Sequence, residues 1–370
     1  MSAPHLGDGA QSTGEESISS RIARLARMRE ALDGEDRKVL LADAVGERLA
    51  HLWRTGGRDD ATAMGRRPTH VRVRTGFIYA RPGDTHEPVV PRLLRTQGLQ
   101  LRLELLLLFD AQFRYGTSTA VRNPRNIVRR ADDTYPGWRE LALTDVRPAG
   151  NKGRGGRPPR STAMLRQRQI TEALAGIENL HLVRIPRQPG GNRRYRDFQL
   201  LSEVSSSEAP DYTVPAKGIR IPREFFTSLW VWVLSDAEIA TYLMLLTMRA
   251  HRRRRHEQGG VFVTSGSREE IFGLHRATWR SADMLYRLRL VDRLPSIGRN
   301  FRTGKIGDPG QHGKDARKPV VRYKINDAAL QSNALSTAWQ VLTDPTEKDL
   351  IRRDRGPLAE QAPDSLIDAM

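Results

Sequence analysis

Apolar and polar positions follow a helical spacing in residues 273–288, in the last third of the chain. At 100° per residue, the charged positions share one face of a helix and the mostly apolar positions share the opposite face. The charged face carries Arg276, Arg280, Asp283 and Arg287, and the packing face carries Thr278, Ala282, Leu285 and Tyr286. The pattern therefore predicts a helix that packs through one side and offers arginines on the other.

The elements around this helix follow a definite order. A short helix is expected to begin at Ser267, because Glu270 three residues on completes the capping-box pattern, and Gly273 supplies the next turn. Three segments have the β-branched content of strands, at 260–264, 290–294 and 320–325. Helix, turn, helix and hairpin is the order of a winged helix-turn-helix, whose second helix enters the major groove of DNA. An ordinary surface helix with solvated arginines is the alternative.

The same order occurs earlier in the chain. A buried apolar helix, a short helix, a longer helix and two hairpin strands are predicted at 99–115, 136–143, 161–177, 180–185 and 195–200. In the longer helix, Arg168 and Glu172 lie opposite the apolar face. The chain thus predicts two tandem units of one kind, and similar short segments at 89–94 and 220–226 lead into them.

The expected fold class is α+β, mainly α, with two tandem winged helix-turn-helix domains after an N-terminal helical region. Residues 18–52 have helical spacing, and they predict a helical pair that either mediates dimerisation or packs on the rest of the chain. The expected parts are a disordered tail, the helical region with its linker, the first domain, a second linker, the second domain and a flexible tail, over 1–17, 18–85, 86–201, 202–216, 217–342 and 343–370.

Charge narrows the class of partner. The 370 residues carry a formal net charge of +18, and the pI is about 10.8. A field of that sign attracts polyanions, so double-stranded DNA is the leading partner. The chain has no cysteine, which excludes disulfides, thiolate zinc sites and cysteine nucleophiles. With neither an apolar run of membrane length nor a signal pattern at the N-terminus, we expect a cytoplasmic protein without a membrane partner.

Two polar segments concentrate basic residues. The segment 151–160 carries Arg154, Arg157 and Arg160 and resembles the Arg-Gly-Arg-Pro core of an AT-hook with one extra glycine. It could enter a minor groove, contact phosphates or be a plain flexible loop. The segment 296–318 carries Arg299, Arg302 and Lys305, and we interpret it as a basic wing between the last two strands. A disordered loop is the alternative there too.

Motifs for catalysis are missing. Residues 298–305 resemble a phosphate-binding loop, but five residues separate the glycines, and Ile306 stands where Ser or Thr would bind magnesium. The histidines are dispersed, and the sequence has no Gly-x-Ser-x-Gly elbow. We therefore expect a protein that is not an enzyme and needs neither a cofactor nor a metal.

The two hairpin-bearing units, with residues 277–285 as second recognition helix and Leu290 and Val291 starting its wing, resemble the winged-helix plasmid replication initiators. The resemblance is architectural and covers residues 91–325. It implies an origin-binding protein that contacts repeated DNA sites and recruits host helicase and primase. A homodimer that represses its own promoter is a further implication. A transcription regulator without a replication role and a protein-interaction scaffold are the alternatives.

The candidate contacts follow from position. Arg276, Thr278 and Arg280 occupy the N-terminal part of the second recognition helix and are the candidates for base edges. Arg287 and the cations of the 296–318 segment are expected to bind phosphates, and Arg168 lies on the equivalent helix of the first unit. Asp283 either accepts a hydrogen bond from cytosine or holds its neighbouring arginines.

Overall fold

The described residues of the computed structural model are 16–29, 31–32, 39–56, 67–81, 86–96, 98–115, 121–146, 161–203, 209–251, 259–294 and 321–344. Within them the chain is mainly helical with small sheets, which confirms the coarse fold class. The helices are α1 (Ile18–Met28), α2 (Leu41–Thr55), α3 (Val89–Arg95), α4 (Gln100–Arg114), α5 (Trp138–Leu141), α6 (Thr162–Asn179), α7 (Glu224–Thr227), α8 (Trp230–Val233), α9 (Asp236–His251), α10 (Ser265–Glu270), α11 (Arg276–Arg280), α12 (Ala282–Arg287) and α13 (Ala334–Thr343). The strands are β1 (Ala31–Leu32), β2 (Val39–Leu40), β3 (His70–Val73), β4 (Val183–Arg184), β5 (Gln199–Leu200), β6 (Ile219–Pro222), β7 (Val291–Leu294) and β8 (Arg322–Ile325). The predicted tails lie almost wholly outside these ranges.

Hydroxyl caps start the helices near both predicted recognition elements. Ser161 accepts a hydrogen bond from the backbone N–H of Met164 (3.3 Å), so α6 begins where the sequence predicts. The N-cap of α10 is Thr264, which accepts from the N–H of Ser267 (3.2 Å). The prediction of Ser267 as cap was therefore three residues late, because the upstream Thr264 is also a good cap and takes the position first.

The two predicted units have their elements connected in the same order. In each, a bridge adds a third extended segment to the hairpin: Arg122 pairs with Gln199, and Val261 pairs with Tyr323. The hairpins themselves are the antiparallel pairs β4–β5 and β7–β8. Each unit therefore combines a long helix, a bridge, a short helix, a third helix and a hairpin in the same order.

The chain also leaves the third helix of each unit in the same way. His181 and Arg289 both adopt a left-handed backbone, with φ of 58° and 60°. Each stands in a Leu-x-Leu-Val stretch that carries the chain from the helix to the first hairpin strand. Positions in α6 and in α11–α12 can therefore be matched by counting back from these two residues.

The strands β3 and β6 lie at the junction of the units and pair antiparallel with each other. Arg72 faces Arg220 at the centre of a Val-Arg-Val segment paired with an Ile-Arg-Ile segment. Antiparallel strands are related by a local twofold axis, and each strand here leads into one unit. The segment at 71–73, rather than the predicted one at 89–94, is thus the counterpart of the segment before the second unit; residues 89–95 form the helix α3.

The N-terminal helices pack against both units. Arg21 of α1 forms an ion pair with Glu238 at the start of α9, and Arg24 donates to the carbonyl oxygen of Val233 (3.0 Å). The helix α2 packs on α5 of the first unit and α7 of the second. Of the two roles that the sequence left open, packing on the rest of the chain therefore accounts for the buried face of α1.

The described ends of the predicted linker at 202–216 are held in the fold. Glu203 is buried and forms an ion pair with Arg74. The hydroxyl of buried Tyr212 accepts a hydrogen bond from Nε2 of Gln112 (2.9 Å). The described ends of this segment therefore pack through side chains whose partners lie far away in the sequence. Buried apolar side chains of both units form one continuous core.

Candidate nucleic-acid interface

The predicted arginine helix is present as two short helices, α11 and α12, which meet at Ser281. The Ser281 hydroxyl lies 2.6 Å from the carbonyl oxygen of Thr278 and 3.0 Å from that of Ala237 in α9. The Thr241 hydroxyl of α9 donates to the same Thr278 oxygen (3.0 Å). These buried hydroxyls hold both short helices against α9, which fixes the direction in which their outer face points.

Burial along α11 and α12 agrees with the predicted division of faces. Arg276, Arg280 and Asp283 are exposed and Arg287 is half-buried, whereas Ala282 and Leu285 are buried. Thr278 is also buried, with only 8% of its surface exposed. The prediction that Thr278 contacts a base is therefore wrong: helical spacing puts its side chain on the packing face, against α9.

The two exposed arginines of α11 differ from Arg168 and the hairpin arginines of the first unit, which are paired with carboxylates. Within the part of the chain that the structure describes, neither Arg276 nor Arg280 forms an ion pair. Neither guanidinium group donates a hydrogen bond to another described residue, and α11 holds both on one outer face. An arginine in this state can form a bidentate contact to guanine or bind a phosphate without first breaking a salt bridge.

The equivalent face of α6 is electrically balanced. Arg168 is exposed as predicted, but its Nε donates to Oε1 of Glu172 (2.6 Å) in a pair four residues apart. Counting back from the left-handed residues, Arg168 corresponds to Arg276, and Glu172 corresponds to Arg280. The two units therefore present different chemistry at equivalent positions.

The hairpin of the first unit carries arginines that the sequence reasoning missed. Most of them are exposed, and they project from or near β4, the turn and β5: Arg184, Arg187, Arg193, Arg194 and Arg196. Each has a carboxylate partner, respectively Asp211, Glu178, Glu178, Asp197 and Asp133. The signal that could have found them is a run of five arginines around a Pro-Gly-Gly turn.

The tip of this hairpin is well defined. Gly190 and Gly191 have φ of 93° and 83°, a region that L side chains rarely adopt, so the turn requires both glycines. Glu178 at the end of α6 binds Arg187 and Arg193 on the two sides of the turn. An open polar depression of about 600 Å³ adjoins the tip. The first unit thus has a basic hairpin whose charge is partly neutralised by nearby carboxylates.

A buried ion cluster supports the first unit from inside. Asp110 of α4 binds both Arg114 and Arg125, and Arg125 also donates to the carbonyl oxygen of Pro136 (3.0 Å). Burial raises the pKa of Asp110, but the two guanidinium groups outweigh it and hold that pKa below its ordinary value. The cluster ties the segment between α4 and α5 to the long helix.

The remaining predicted contacts lie outside the described residues. They are Arg154, Arg157, Arg160, Arg299, Arg302 and Lys305. Their expected contacts with phosphates or a minor groove stay predictions.

Comparison with known proteins adds nothing to this geometry. No family model, no curated protein and no solved structure matches this chain. The interpretation of the interface therefore depends on the arrangement of its own residues. Among the described helices, none is both long and apolar enough to cross a membrane.

Proposed function

We propose that this protein binds double-stranded DNA in a sequence-specific manner through two winged helix-turn-helix domains. The observation that carries the proposal is the outer face of α11, where Arg276 and Arg280 are exposed and have no ion pair among the described residues. A chain with a net charge of +18 attracts DNA, and such a face can read guanine in the major groove.

The winged-helix assignment is supported by the pairing of the extended segments. In this fold the segment before the second helix pairs with the last hairpin strand, and both bridges have that arrangement. The third helix of each unit, α6 or α11 with α12, would be the helix that lies in the groove.

Charge distribution favours the second unit as the reader of bases. On its outer face, Arg276 and Arg280 have no ion pair among the described residues, whereas Arg168 of α6 and the arginines of the first hairpin are paired with carboxylates. A paired arginine must give up or share its carboxylate partner when it contacts DNA, which reduces the net gain in binding free energy. The first unit then contributes orientation and weaker backbone contacts.

The presence of two units suggests the form of the DNA site. Two units with the same order of elements fit two half-sites on one duplex. Half-sites read in successive major grooves are about 10 base pairs apart, centre to centre. The half-sites should differ, because matched positions such as Glu172 and Arg280 differ.

The biological role that we propose is replication initiation on a plasmid or mobile element, by binding origin repeats and recruiting host helicase and primase. Its support is the tandem arrangement of the two units. Transcription regulation without replication would use the same DNA-binding surface. A plasmid that carries the gene and its neighbouring repeats distinguishes the two: autonomous replication supports initiation, and promoter repression alone supports regulation.

The test of DNA binding is selection of bound sequences from a random duplex pool with the full chain, followed by binding measurements at several salt concentrations. We expect a motif in two parts about one helical turn apart, and an affinity that falls steeply with salt. A protein-interaction scaffold would give neither enrichment nor salt-sensitive binding, and that result would reject the proposal.

A further inference from the structure

An acidic side chain stands in the middle of the arginine face. On this face, Asp283 of α12 lies between exposed Arg280 and half-buried Arg287, and 69% of its side chain is exposed. A carboxylate at a surface that approaches phosphates weakens binding to every DNA sequence alike, because it repels the backbone. We therefore expect a contact that offsets the repulsion between this carboxylate and the phosphates.

The compensation on the protein side comes from Arg293. This residue lies on β7, the first strand of the second hairpin, and its Nη2 forms an ion pair with Oδ1 of Asp283. Only 6% of the Arg293 side chain is exposed, and its guanidinium lies 4.6 Å from the centre of the Tyr286 ring. Arg293 is thus held between hairpin and helix and fixes the direction of the carboxylate.

The second carboxylate oxygen is left for another donor. Among the described residues, Oδ2 of Asp283 accepts no hydrogen bond. In the major groove, the N4 amino group of cytosine is a donor, and Asp and Glu are the side chains that accept from it. Adenine also offers an amino group, but its neighbouring N7 is an acceptor that repels a carboxylate.

We infer that Asp283 is a specificity-determining residue that selects cytosine at one position of the DNA site, and that Arg293 is its positioning residue. The inference depends on the proposed DNA-binding function and names a base that the second unit reads. The arginines of the same face supply affinity and contacts to guanine. Asp283 adds a position at which the wrong base leaves a carboxylate without a donor.

The experiment is the same selection from a random duplex pool, performed with the full chain and with Asp283→Asn. The wild type should give one position at which cytosine dominates. In Asp283→Asn, discrimination at that position should fall by about tenfold and shift toward adenine, which asparagine binds through N6 and N7. The other positions of the motif should not change.

The matched control is Asp292→Asn, which removes the same charge one residue before Arg293. Asp292 is exposed and its side chain points to the opposite side of β7, so its removal should leave the motif unchanged. Arg293→Met should weaken the preference at the cytosine position while the contacts of Arg280 stay. Retention of full cytosine preference in Arg293→Met would overturn the positioning role.

The outcomes separate this inference from the proposed function. A wild-type chain that enriches no motif rejects sequence-specific binding as a whole. A wild-type motif that Asp283→Asn reproduces unchanged leaves the DNA-binding function standing and overturns the role of Asp283. An affinity gain on all duplexes, equal in Asp283→Asn and Asp292→Asn, would show a carboxylate that only repels phosphates and would overturn it too.

Discussion

The ion pair between Arg21 and Glu238 joins the N-terminal helix to the second unit, and it makes a strong prediction about stability. The side chains are 3% and 5% exposed, and the second contact, Arg21 Nη2 to Glu238 Oε2, is 2.9 Å long. Arg21 also donates to the carbonyl oxygen of Val233 (3.3 Å). Removal of one partner leaves the other charge buried in a medium that cannot solvate it.

Arg21→Met removes the guanidinium and keeps an apolar side chain of similar length. Glu238 would retain the backbone N–H of Ser235 as donor (2.9 Å) but lose its only buried cation partner among the described residues. Breaking a buried pair in this way costs about 3–5 kcal/mol of unfolding free energy. At about 2 °C per kcal/mol for a chain of this size, the midpoint of thermal unfolding should fall by about 6–10 °C.

A double variant tests whether the charge is the cause. Glu238→Gln in the Arg21→Met background removes the second charge of the pair, and its amide oxygen can still accept from the N–H of Ser235. The double variant should therefore recover to within about 1 kcal/mol of the wild type. Urea unfolding followed by circular dichroism measures all four corners of the cycle.

The control is Arg168→Met, which breaks an ion pair with about 60% of each side chain exposed. An exposed pair at this spacing contributes about 0.3–0.5 kcal/mol, so the control should lose little. If Arg21→Met loses as little as the control, or if the double variant is no more stable than Arg21→Met, the reasoning about the buried pair is refuted.

Three further predictions concern binding and pH. Arg280→Ala should raise the dissociation constant for the selected duplex by about 5-fold to 150-fold and that for random duplex far less. Arg220→Ala, which removes another exposed arginine, is the control. Equal losses of affinity for both duplexes would contradict base readout. Arg187→Ala combined with Arg193→Ala should flatten the salt dependence of binding less than Arg276→Ala combined with Arg280→Ala does, because Glu178 already offsets one of the two charges of the first pair. The reverse order would contradict this. Burial and the nearby Glu203 carboxylate raise the pKa of Glu104 well above its ordinary value. The stability that protonated Glu104 contributes is therefore complete below the unfolded pKa of about 4.3 and is lost as pH rises toward the folded pKa. The loss amounts to at most about 1.4 kcal/mol per pH unit. Glu104→Gln, neutral throughout, should gain stability relative to the wild type between pH 4 and pH 8 in urea unfolding, and a difference that does not vary with pH would contradict the shift.

The sequence by itself determined the features that depend on near neighbours. The spacing of Ile170, Leu174 and Ile177 gave α6 its buried face and left Arg168 exposed. Helical angle alone separated the outer arginines of residues 276–287 from the packing side. The hairpin strands also lie within the segments that β-branched residues and turn signals indicated, because strand propensity depends on a few neighbouring residues.

The tertiary structure decided what joins distant parts of the chain. No local pattern indicated that β3 pairs with β6, about 150 residues later, or that Arg21 meets Glu238. Local pattern likewise could not show that Arg293, from the following strand, forms an ion pair with the carboxylate of Asp283. Helix periodicity fixes the side on which a residue stands, but the partner on that side is chosen by packing of the whole core and by the need to compensate each buried charge.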